Sequence, residues 1–144
     1  MNKIAIGALG ALAGAGSVLA MTSPAAAAGN TIDLAAGGAT AYGSYNLMMS
    51  IPERPVPPIK VDGTLAMNQR GQCAVVQIAG NGPADGIEWR TLTSLCHPGK
   101  TNFAATSGYL WGGFQPELRL CVGATVKRAE RGHDCDVHVP TADS

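Results

Sequence analysis

Charge is scarce in this chain. Only 14% of its 144 residues are Asp, Glu, Lys or Arg, and ten basic residues balance ten acidic ones. Nucleic acids and anionic membranes require a cationic surface, so neither is an expected partner. Aromatic residues make up just 5%, which limits how much of a core rings can fill. Catalytic signatures are missing as well: there is no Gly-x-Ser-x-Gly elbow, no His-Glu-x-x-His pair and no complete Gly-x-x-x-x-Gly-Lys-Ser or Gly-x-x-x-x-Gly-Lys-Thr loop. Elbow hydrolases, zincins and P-loop enzymes are excluded on that ground. No Cys-x-x-Cys spacing supports a structural zinc site, and no cofactor is implied.

What is present begins with a leader-like segment. Lys3 provides a positive start, residues 4–20 form an uncharged apolar run, and Ala26-Ala27-Ala28 offers the small residues that a signal peptidase accepts. Residues 1–28 are therefore expected to be a signal peptide, helical while it lasts. No cysteine near the cleavage point invites a lipid, and no Arg-Arg pair marks the twin-arginine route. Removing 28 of 144 residues leaves 116, with nine basic residues against ten acidic ones. That is enough for one compact domain and too little for two. Secretion without a membrane span after cleavage is the expected consequence.

Four cysteines, Cys73, Cys96, Cys121 and Cys135, fall in the expected mature part. In an exported protein an even count reads as two disulfides. Three pairings are open. The sequential one, Cys73 with Cys96 and Cys121 with Cys135, is favoured because each bridge then closes a neighbouring hairpin.

Residues 29–58 read as a flexible Gly/Ala-rich arm with a first strand, followed by a polyproline connection through Pro52, Pro55, Pro57 and Pro58. Residues 59–140 read as the disulfide-stapled β domain, and 141–144 as a polar tail. Within the β domain, alternation is clear at 59–68, where Val61, Leu65 and Met67 share one face. Residues 73–79 are nearly all apolar, as in a central strand, and strands are also expected at 86–95, 102–106, 117–127 and 134–139. About seven strands, frequent Gly and Pro and no helical periodicity after the leader predict an all-β antiparallel sandwich or small barrel. The expected core is Leu47, Val61, Leu65, Val76, Ile78, Ile87, Trp89, Leu118, Leu120, Val122 and Val137.

One feature conflicts with that pattern. Cys135 shares a strand face with Val137 and Val139, whereas Cys121 shares its face with Arg119. Either Gly123 marks a β-bulge that shifts the alternation, or the bridge lies on the outer face of its sheet.

Two clusters could carry chemistry. In 133–138 a strand period places Asp134, Asp136 and His138 on one face, a donor set suited to a divalent metal. The competing reading is a solvated edge strand, whose charges prevent strand addition. In 108–114, Tyr109, Trp111 and Phe114 stand between glycines. They either plug the end of the sandwich or form a contact loop for a glycan or a protein. His97 beside Cys96 suggests Cys-His catalysis only if the thiol is free.

Gly63-Thr64-Leu65, Gly71-Gln72-Cys73-Ala74-Val75-Val76, Gly108-Tyr109, Leu120-Cys121-Val122 and the closing Cys135 resemble, in this order, the small spore-associated secreted proteins of actinobacteria. The resemblance covers about residues 60–136. It implies an extracellular or surface-associated all-β protein without established catalysis, and it carries over no active-site residues. The expected function is accordingly a secreted structural or binding module whose partner is a cell-surface or extracellular protein or glycan. The rival is a secreted hydrolase or protease inhibitor, with 81–86 and 97–101 as exposed loops.

Overall fold

The computed structural model describes residues 30–141. The expected leader at 1–28 and residues 142–144 of the expected tail lie outside the described residues. Among the described residues eight strands, one more than expected, form two four-stranded antiparallel sheets packed face to face. The first sheet takes the order β1 (Thr31–Ala36), β2 (Ala39–Leu47), β3 (Ile59–Met67), β6 (Gly99–Thr106). The second takes β5 (Ile87–Leu95), β4 (Cys73–Asn81), β7 (Leu118–Gly123), β8 (Cys135–His138).

The expected arm at the start of the mature chain is instead the hairpin β1–β2. Gly37-Gly38 makes its two-residue turn with φ of 48° and 79°, the left-handed pair that a tight hairpin needs and that glycine adopts without steric cost. Ile32, Leu34, Ala41 and Tyr45 are buried from this hairpin. Small and polar residues on its outward face hide the apolar alternation in the composition, which is why the segment reads as an arm.

The main core lies between the sheets. Val61, Leu65, Val76, Ile78, Leu118, Leu120 and Val122 meet there as expected, and Ile59 and Phe103 join them. Fully burying each Leu, Ile or Val contributes about 1.5–3 kcal/mol. Gly43 and Gly63 face each other across β2 and β3, and a Cβ on Gly63 would sit 2.6 Å from the Phe103 ring. Gly63 thus makes the space that this ring fills, and Gly43 lets β2 lie close against the backbone of Asp62 and Gly63.

Three expected core residues lie elsewhere. Ile87 and Trp89 belong to the edge strand β5, whose register against β4 shifts at Val76/Gln77. Beyond the shift Trp89 pairs with Ala79 on the outer face, while Arg90 faces the corner between the sheets and donates to the Thr106 carbonyl at 2.9 Å. Val137 is 47% exposed, because in β8 it is Asp136 and His138 that stand opposite Leu120 and Leu118 on the inward face.

The expected strand at 117–127 stops at Gly123 and turns into a short helix, α1 (Val126–Glu130). Thr125 caps it, its side chain accepting the Arg128 N–H. α1 covers the outer face of the second sheet, where Val75, Cys121 and Ala129 form a second buried cluster with Val126 and Cys135 beside it. Both disulfides follow the sequential pairing, Cys73–Cys96 and Cys121–Cys135, and the second lies on this outer face. Gly123 is therefore no bulge. It is the point where the helix meets the strand, since a Cβ there would lie 2.6 Å from the Ala129 nitrogen.

Beneath α1 runs a polar ladder. Gln77, 2% exposed, donates to the Thr91 hydroxyl at 3.1 Å and accepts from Arg119 Nε at 2.8 Å. Thr91 donates to Glu130 at 2.8 Å, and Arg119 donates to the Glu130 carbonyl at 3.0 Å. The guanidinium lies 4.1 Å from the centre of the Trp89 ring. Each buried donor and acceptor in this ladder has a partner, as burial demands. Among the described residues no helix is long and apolar enough to cross a membrane.

Candidate binding surface

Antiparallel connectivity separates two ends. One end gathers the turns 37–38, 68–72 and 96–98 with α1 and both disulfides. The other gathers the long connections 48–58 and 107–117, the 82–86 turn and the segment after β8. Tyr109, Trp111 and Phe114 belong to this second end.

Two other residues of that loop, Leu110 and Pro116, are buried, Leu110 facing Glu53–Val56 of the neighbouring connection and Pro116 facing Leu47 and Val139. Trp111 is 48% exposed and Phe114 43%, and Tyr109 is half-buried. Asn81, at the end of β4, holds the loop. Its side-chain amide donates to the Tyr109 carbonyl at 2.9 Å and accepts the Trp111 N–H at 2.8 Å. The Tyr109 hydroxyl donates to the Met49 carbonyl at 2.6 Å, tying this loop to 48–58.

From 48–58 comes Arg54, whose guanidinium lies 3.8 Å from the centre of the Trp111 ring and 6.0 Å from that of Tyr109. Such stacking contributes about 0.5–1 kcal/mol at an exposed site. The bridge between Ile51 and Arg54 and the flanking prolines hold the arginine's backbone in place. Met48, Met49 and Ile51 remain exposed at 46%, 84% and 41%. The result is a rim of methionine, isoleucine and aromatic side chains around a cation–π stack. Beside it a cavity of about 270 Å³ opens between Glu53–Val56 and Leu110–Gly113. A second cavity of about 470 Å³ lies among Leu47, Pro55, Val56, Pro116, Val139 and Pro140. Sequence reading places Asn81 in the exposed 81–86 loop and Met49 on a strand face with Leu47 and Ile51, and gives Arg54 no role, since an arginine among prolines and an asparagine in a turn have ordinary structural uses.

Asp134, Asp136 and His138 are differently employed. The Asp134 carbonyl accepts the Val122 N–H. Asp136 accepts the Ala35 N–H at 2.9 Å, closing the corner between β8 and β1. His138 packs edge-on against Tyr45, with ring centres 5.3 Å apart, and its Nε2 is buried without a hydrogen-bond partner. Burial lowers the His138 pKa from the usual 6.5, and the Asp136 charge opposes that shift. Among the described residues no three His, Cys, Asp or Glu side chains converge on a common point. The face expected to be solvated is thus the one turned toward the first sheet. The reason is that the Cys121–Cys135 bridge turns the other face of β8 outward, with Cys135 beside the cluster under α1 and Val137 exposed. His97 stands exposed in the turn after Cys96, which is bridged.

A groove of about 670 Å³ lies where the two sheets part at β5 and β6, lined by Gly80, Glu88, Arg90, Thr106 and their neighbours. Charged side chains turned toward a sheet corner discourage a further strand from pairing there. No family model, no curated protein and no solved structure matches this chain.

Proposed function

We infer that this is an exported, non-catalytic recognition domain that binds a protein on a cell surface or in the extracellular space through the end carrying Arg54, Tyr109, Trp111 and Phe114. The observation that carries this reading is the rim of exposed Met49, Ile51, Trp111 and Phe114 around a preset Arg54–Trp111 stack. Tryptophan, tyrosine, methionine and arginine are the residues enriched where proteins bind proteins, and a few of them carry most of the affinity. A glycan partner would stack on an open ring face, and one face of Trp111 is already occupied by the guanidinium. Two disulfides in so small a domain accord with an oxidising exterior. The resemblance of residues 60–136 to spore-associated secreted proteins points to the same location.

The test is binding of the labelled mature domain to actinobacterial cells and spores, before and after their surface proteins are shaved with protease. Shaving is expected to abolish retention, and Trp111→Ala to lower it about tenfold or more while the melting temperature falls by no more than a few degrees. Retention that survives shaving and follows purified wall polysaccharide would replace the protein partner by a glycan. Retention indifferent to Trp111→Ala and Arg54→Ala would remove this surface from consideration.

A further inference from the structure

The two disulfides occupy opposite environments. Cys121 is fully buried and Cys135 half-buried, with Val126 and Ala129 of α1 packed beside them. The helix therefore covers the Cys121 side of that bridge and leaves only the Cys135 side partly exposed. The other bridge has no cover on one side. Cys73 is 8% exposed, but Cys96 is exposed and leads into a turn, His97, Pro98 and Gly99, that is exposed throughout. A Cβ built on Gly99 meets nothing within 4 Å, so the approach to this turn is open.

We propose that the Cys73–Cys96 bridge is a thiol-exchange site, at which Cys96 forms a mixed disulfide with a thiol supplied by a small molecule or another protein. The thiolate attacks Cys96 Sγ, the accessible sulfur. A new sulfur–sulfur bond forms between the incoming sulfur and Cys96, the Cys73–Cys96 bond breaks, and the electron pair leaves on Cys73, which takes a proton from solvent. The incoming thiol is oxidised to the disulfide level while Cys73 is reduced, so no further oxidant is needed.

The fold tolerates the step. β4 and β5 remain joined by the ladder from Ala74↔Leu95 to Asn81↔Ile87, and Ala74 and Leu95 beside the bridge stay anchored in the core. Attachment also falls on the end of the sandwich remote from Trp111, so a tethered domain would keep its aromatic rim free. This assignment does not depend on what that rim binds.

The experiment treats the natural, fully oxidised protein with reduced glutathione at neutral pH, quenches by alkylation at intervals, and maps the peptides by mass. The expected result is glutathione on Cys96 and alkylated Cys73, formed about tenfold or more faster than any opening of Cys121–Cys135. Near-ultraviolet circular dichroism should be retained throughout. Glutathione on Cys73, opening of both bridges at one rate, or prior opening of Cys121–Cys135 would overturn the proposal. A second arm uses Thr125→Ala, which removes the cap of α1. It should speed opening of Cys121–Cys135 and leave the Cys96 rate unchanged, and an unchanged Cys121–Cys135 rate would refute the role given to the helix as a shield.

Discussion

The two ends of the sandwich are held by different kinds of force. At the end with α1, two covalent bridges, a capped helix and a paired polar ladder fasten the strands. At the other, two long connections are held by the Asn81 amide, the Tyr109 hydroxyl and the Arg54–Trp111 stack. The difference teaches how so small a domain can leave large apolar side chains in water. Covalent bridges and the capped helix are concentrated at one end, and the large exposed apolar side chains at the other. Loops that bind are commonly drawn from the less stable part of a structure, and a rigid scaffold positions them.

Breaking the stapled end should have the largest effect. The double variant Cys121→Ala/Cys135→Ala opens a loop of about 15 residues and should cost about 3 kcal/mol in urea denaturation. The loss should appear as faster hydrogen exchange in β7, β8 and α1. If residues 107–117 lost protection equally below the global transition, the two ends would not be separable units.

Loosening the other end should cost less. Asn81→Ala removes two hydrogen bonds that fix the 107–117 loop, and a loss of about 1 kcal/mol is expected. Amide exchange should rise at Trp111 while Cys121 and its neighbours keep their protection. An equal rise at both ends would show that Asn81 supports the whole sandwich rather than the loop.

Trp111→Ala should cost only about 0.5–1 kcal/mol, the contribution of the Arg54 stack at a half-exposed ring, yet it should weaken partner binding strongly. A large drop in melting temperature would make Trp111 a structural plug and sharpen the comparison in the opposite sense.

The smallest effect expected is a pH dependence at the β8 corner. Burial lowers the His138 pKa below its usual 6.5, so the unfolded chain takes up its proton first as pH falls. Stability from this group is then complete above about 6.5 and declines as the solution becomes more acidic. Urea midpoints measured from pH 7.5 to 5 should fall, and His138→Gln should flatten the part of the decline that belongs to this residue. An identical slope in the variant would assign the decline to other groups.

Much of the scaffold can be read without coordinates. Alternation at Val61, Leu65 and Met67, the apolar run at 73–79 and the turn residues between strands are local signals, and local sterics answer to them. The β1–β2 hairpin escaped that reading because Ala39, Ala41 and Gly43 supply its inward face with little hydrophobic contrast. α1 escaped it because five residues are too few to display a helical period. At the candidate surface the aromatic cluster 109–114 was visible, but its anchors Asn81 and Arg54 arrive from connections distant in the chain, and no spacing rule relates them to Trp111.

The amino-acid sequence by itself determined the class of fold, the number of bridges and which residues were apolar enough to compete for the core, since these follow from composition and a period of two along each strand. Only the tertiary structure decided which face of each strand won. A period of two divides a strand into two faces without naming the inner one, and β4 and β7 of the second sheet are buried on both, one against the first sheet and one beneath α1. That is why Cys121 and Trp89 lie on the outer face and why Asp136 and His138 point inward.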